Sequence, residues 1–271
     1  MTSSASLSTT RPAPAGPSTQ GAPSPVPGNR PASRLVTDAP TRMFHWLFAL
    51  SFLGAYLTAE SEQWRALHVT LGYTLAGLLA WRVMYGLIGP KQAGLGVLWR
   101  KLGAAPAWLR AGRDSLARQG LPGALKTIQW RQGQNLLMAA AIVLLLVLVL
   151  PLTLSGYATY NDWGDVLGGD WVGEVHELIA NTFLVVVLAH LALITGLSLL
   201  RRKNQARPML TGRTEGPGPD LVKANRAWLA VLLLAAVLGF GAWQWQQSPS
   251  GLIPTEAGLS SGSAGLHDDD D

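Results

Sequence analysis

Apolar residues along this chain gather into five long runs separated by polar or charged connections. The runs are Thr41 to about Ala59, Leu67 to about Ile88, Leu136 to Tyr157, Val175 to Leu199, and Ala227 to about Trp245. Each is close to the roughly twenty residues that a helix needs to cross a bilayer. None shows the period of two that would mark a strand, so the pattern predicts an all-α integral membrane protein with five transmembrane helices. Pro151 falls late in the third run, where a kink is expected.

The polar stretches divide the rest. Residues 1–35 are rich in Pro and Ser and too poor in apolar positions to bury a core, so a disordered tail is expected. They also lack the apolar stretch of a signal peptide, so an internal segment is expected to direct insertion. Residues 246–271 are Gly- and Ser-rich and end in His267 and four aspartates, which predicts a second, acidic disordered tail. Residues 36–212 form the core unit, and 213–245 a linker with the fifth helix. Within the 89–135 connection, Trp108, Leu109, Gly112 and Leu116 fall opposite Arg110, Arg113, Asp114 and Arg118. That is the pattern of a basic amphipathic helix on a membrane surface, or of a solvated charged loop.

Charge gives the orientation. The 89–135 loop carries eight Lys and Arg against one acid, and Arg201 to Arg226 carries seven against two. The connection before the fourth run holds Asp162, Asp165, Asp170 and Glu174 and no base. The positive-inside rule therefore puts the N-terminus in the cytoplasm and the acidic C-terminus outside. Several of the eleven tryptophans fall near run ends, as an aromatic belt does. The net charge of +5 is thus a topology signal, with no call for nucleic acid. The chain has 271 residues, 48% hydrophobic and 14% charged, and no cysteine. Disulfides, Cys-ligated clusters and covalent CxxCH haem are excluded, and any haem must be held non-covalently.

Four of the five histidines lie in or at the edges of the runs. His176 and His190 are fourteen residues apart, on nearly one face of a helix and about 21 Å apart along it. With alternating helix directions, His45 lies at the depth of His190, and His68 at the depth of His176. Ionisable residues inside a membrane mark function, and two depth-matched pairs predict two separate centres. Zinc wants four ligands. Haem needs two axial ligands and puts its apolar ring in a helix-bundle core. Ala49, Gly72 and Ala180, each four residues after a histidine, leave room for such a ring. Arg42 and Arg82 near the inner side read as snorkelling charges, with pairing to haem propionates or a quinone carbonyl as the alternative.

These residues carry a family resemblance. Asp38-Ala-Pro-Thr-Arg-Met-Phe-His-Trp46, His68-Val-Thr-Leu-Gly-Tyr73, Trp81-Arg82 with Gly86, and His176-Glu-Leu-Ile-Ala-Asn181 resemble the prokaryotic cytochrome b561 family, related to the cytochrome b subunits of nickel–iron hydrogenases. The resemblance covers about Val36 to Gly212. It implies a four-helix transmembrane di-haem bundle with two b haems and exchange of electrons with quinone. It carries the ligand role onto His45, His68, His176 and His190. Gly133-Gln-Asn135 departs from the Gly-His-Asn-Pro that members often show.

The expected function is transmembrane electron transfer between the quinone pool and a redox partner, such as a periplasmic c-type cytochrome or a dehydrogenase subunit. The enzymatic version is a quinone-linked oxidoreductase. One alternative is the haem-bearing membrane anchor of a periplasmic dehydrogenase, reductase or hydrogenase. Another, from a different class, is a transporter with a histidine proton relay. The aspartates 268–271 are candidates for steering a basic partner, with no role as the plainer reading.

Overall fold

The computed structural model describes residues 32–90, 94–127, 129–167, 169, 171–248 and 252, without the side chains of 125 and 167. Both expected disordered tails fall almost wholly outside these residues. The chain is mostly helical. Strand β1 (Ser33–Leu35) leads to α1 (Ala39–Leu57), a short 3-10 turn (Glu62–Trp64), α2 (Arg65–Ile88), α3 (Leu95–Gly103), α4 (Ala105–Thr127), α5 (Trp130–Tyr160), α6 (Trp163–Leu167), α7 (Trp171–Arg201), α8 (Arg207–Thr211), β2 (Arg213–Glu215) and α9 (Ala227–Gln247).

Among the described residues four helical segments are long and apolar enough to cross a membrane: Glu62–Ile88, Trp130–Tyr160, Trp171–Arg201 and Ala227–Gln247. The run predicted first, now α1, is not in this set. Pro40, Arg42, His45 and Trp46 in its first two turns dilute its apolar residues. The long helices carry their large apolar side chains outward: Leu144, Val147, Leu150 and Leu154 of α5 are exposed, as are Val185 and Leu188 of α7. In water such surfaces are rare; against lipid they are the rule. α5 continues through Pro151 to Tyr160 as one helix.

Local chemistry sets the helix ends. Asp38 caps α1, its Oδ1 accepting the Thr41 N–H at 3.2 Å, and Pro40 occupies the first turn, where a missing N–H is harmless. The basic stretch after α2 folds into α3 and α4, the latter broken at Gly120, whose φ of +66° suits glycine alone. β1 and β2 pair antiparallel, with Ser33 opposite Glu215 and Leu35 opposite Arg213, so the tail expected to reach residue 35 is ordered from 33. This strap turns at Gly212, φ +78°, where a Cβ would sit 2.8 Å from the Thr37 carbonyl oxygen.

Packing among the long helices runs α7 on α5, α5 on α2, α2 on α1 and α1 on α9. α7 therefore leans mainly on α5 and faces α1 across the bundle through large side chains. Phe52 of α1 and Phe183 of α7 meet as a tilted pair with centroids 4.4 Å apart, in one buried cluster with Leu75, Val149 and Leu152. Phe44, Leu78 and Leu233 form a second cluster that seats α9.

Candidate functional site

The site grows from the N-terminal turns of α2 and α7, which start at the same end of the bundle. His68 and His176 face each other there, ring centroids 6.2 Å apart and planes at 83°. Each ring is fixed by its neighbours. The His68 Nδ1–H donates to the Ala55 carbonyl of α1 at 2.8 Å. The His176 Nδ1–H donates to the Leu152 carbonyl of α5 at 3.1 Å, with Ser155 Oγ at the same distance. With Nδ1 protonated, Nε2 keeps its lone pair. An imidazole tied through one nitrogen to a backbone carbonyl is how proteins orient a metal ligand.

A cavity of about 420 Å³ opens beside this pair, within the roughly 300–1,000 Å³ of small-molecule sites. Gly72 and Ala180, two of the small residues expected near the ligands, line it. A Cβ on Gly72 would meet nothing within 4 Å. On Gly156, also in the lining, it would sit 2.8 Å from His176 Cε1, so only glycine lets α5 come this close to the imidazole. Four of the chain's five tyrosines, Tyr56, Tyr73, Tyr157 and Tyr160, surround the opening. Tyr56 Oη donates to Asn181 Oδ1 at 3.2 Å, tying α1 to α7. The sequence reading had no place for Gly156 or this tyrosine ring. Their one signal was spacing: Gly156 and Tyr160 fall four residues apart on α5, opposite His176 of α7.

His45 and His190 are the second couple expected from depth, and His190 lies within electrostatic range of His45. Their Nδ1 atoms are enclosed and have no hydrogen-bond partner. Arg82 Nη1 and Arg42 Nε, toward the same end, share that condition. Arg42 Nη1 donates to the Leu210 carbonyl at 3.3 Å, and Trp46 Nε1 to that of Met209 at 3.2 Å, so α8 covers this end of α1. Arg82 corrects the snorkelling expectation: it is 8% exposed, under α3 and beside Phe44. Between the couples lies Phe183, fully buried and seven residues from each histidine of α7. Gln134, the departure from the family pattern, accepts a hydrogen bond from Arg201 and so links α5 to the end of α7.

The donor set fits haem. Among the described residues no group of three or more His, Cys, Asp or Glu is placed to hold a metal, so a zinc cage is not built here. Two imidazole couples beside apolar walls suit an iron that brings its own four nitrogens, and buried polar atoms left without partners are otherwise rare. The model of the family described as prokaryotic cytochrome b561 matches residues 36–212. No curated protein and no solved structure matches the chain.

Proposed function

The chain belongs to the prokaryotic cytochrome b561 family, whose members are b-type membrane electron-transfer proteins, and on that premise we propose that it carries electrons across the membrane through two b haems. His68 and His176 hold the outer haem, and His45 and His190 the inner one. The observation that carries this reading is the facing of His68 and His176 over the cavity, each with Nδ1 turned to a carbonyl. Bound there, a haem would supply a one-electron couple, with His68 and His176 holding one and His45 and His190 the other. The protein's part is to orient the four rings, keep water out with the Phe52–Phe183 layer, and set the two sites about 21 Å apart along α7.

Quinone is the partner on the membrane side. A positively charged carrier, a c-type cytochrome or a dehydrogenase subunit, is the partner outside. The test is the spectrum of the purified protein. Reduction should give the α-band of b haem, with two haems per chain by haem assay. A colourless protein would leave the proton-relay transporter standing instead. Recovery only in a complex with a large catalytic subunit would favour the membrane-anchor alternative.

Orientation is part of the proposal. α1 crosses as a fifth span, its short apolar stretch completed by the exposed Leu50, Leu53 and Leu57, in the inner membrane with the N-terminus inside. The chain has no cysteine, so single introduced cysteines report cleanly. In intact cells an impermeant maleimide should label Glu60→Cys and Asp165→Cys at once. Ser33→Cys and Arg110→Cys should react only after permeabilisation. Labelling of Ser33→Cys and Glu60→Cys from one side would mean that α1 does not cross.

A further inference from the structure

Arg82 is a buried cation, and its burial removes the snorkelling role and leaves its pairing to be assigned. It follows His68 by fourteen residues on α2, as His190 follows His176 on α7. The two helices start at the same end, so Arg82 lies at the depth of His190 and on nearly the same face of α2 as His68. It is 8% exposed, its guanidinium carbon 6.0 Å from the Phe44 ring centroid and its Nη1 enclosed without a hydrogen-bond partner. A Cβ on Gly86 would sit 3.1 Å from that nitrogen and even closer to Leu95 of α3, so α3 closes over it.

Among the described residues no carboxylate forms an ion pair with Arg82. Asp38 acts on it from a distance, but its oxygens are engaged: Oδ2 accepts from Tyr85 Oη at 2.5 Å and Oδ1 from the Thr41 N–H at 3.2 Å. A guanidinium does not give up its proton, and a buried one without a directly paired anion is unfavourable. The outer cavity is the reverse case. Glu60 and Glu177 line it and no Lys or Arg does, while Arg65 nearby pairs with Glu62 at 3.6 Å.

We propose that Arg82 is the carboxylate receptor of the inner site, holding a propionate of the inner haem and setting that haem's potential above the outer one's. The proposal rests on the two-haem reading. Its physical basis is that a fixed cation favours the reduced, more negative state of an adjacent centre, and carboxylates disfavour it. Arg82 is a positioning residue in this role, since it meets a substituent of the ring and not the iron. A phospholipid phosphate offers the guanidinium the same oxyanion chemistry, and the experiment separates the two sources.

The full-length protein in nanodiscs is titrated by visible absorbance, as wild type, Arg82→Gln and Arg82→Lys, with His190→Leu and His68→Leu assigning the two components. Arg82→Gln should shift the inner component downward and leave the outer one in place. Arg82→Lys, which keeps the charge, should restore most of the shift. Should Arg82→Gln fail to accumulate, wild type and Arg82→Lys carrying haem isotopically labelled in its propionates are compared by infrared difference spectroscopy. A labelled carboxylate band that moves between them supports the proposal, and an unmoved one overturns it. Two haems with unmoved potentials in Arg82→Gln also overturn it, all the more if mass spectrometry shows that the variant has lost a bound anionic lipid. A wild type with one haem overturns the two-haem reading itself, and the proposal with it.

Discussion

His176→Leu should remove one haem and leave the other with its spectrum and potential nearly unchanged. His68→Leu should give the same phenotype, because the two rings face each other 6.2 Å apart and a haem that loses one axial imidazole loses its seat. His45→Leu and His190→Leu should form the second matched pair. The crossed combination, His45 with His176, needs ligands about 20 Å apart in depth, far beyond the span of two axial bonds. A helix tilt of about 20° does not close that gap. Redox titration with haem quantitation of all four variants makes the check. If His45→Leu and His176→Leu lost the same haem while His190→Leu spared it, the pairing would be wrong. If all four kept both haems, the histidines would be packing residues.

The depth argument behind this pairing was available from spacing alone, because the fourteen residues from His176 to His190 translate directly into axial rise on a helix. The same holds for the long helices, whose apolar runs outlast any turn signal: α7 was expected over 175–199 and spans Trp171–Arg201. Two features were hidden for a common reason, that each depends on what is packed nearby. The β1–β2 strap joins Ser33–Leu35 to Arg213–Glu215, two three-residue strands too short to show a period, brought together by the helices between them. Arg82 reads in sequence as one more cation near a helix end, and its burial follows from Phe44 of α1 and Leu95 of α3 closing over it. α1 is a different case. Its run reads as a span like the others, while Arg42 and His45 in its first two turns lower its apolar content.

Gly72 and Gly156 give the sharpest test of whether the outer cavity holds a ring, because their surroundings differ. At Gly72 a new Cβ meets nothing within 4 Å, so Gly72→Leu adds a side chain only where the cavity is open. Exchanging a mid-helix glycine for leucine also favours the helix by up to about 1 kcal/mol. The variant should therefore fold, keep the inner haem and lose the outer one, since the leucine takes the space the ring needs. At Gly156 the new Cβ lies 2.8 Å from His176 Cε1, below any ordinary contact, so even Gly156→Ala displaces the imidazole. Disturbing a ligand's support of this kind weakens binding by about 10–100-fold, so Gly156→Ala should retain the outer haem poorly and with an altered potential. Haem content and redox titration read both variants, and the thermal midpoint of the apo-protein reports folding. A Gly72→Leu protein that carries both haems at full occupancy would mean that the cavity is not where the outer ring sits. One that loses both haems and unfolds early would place the leucine in the packed core, contrary to the open space at Gly72.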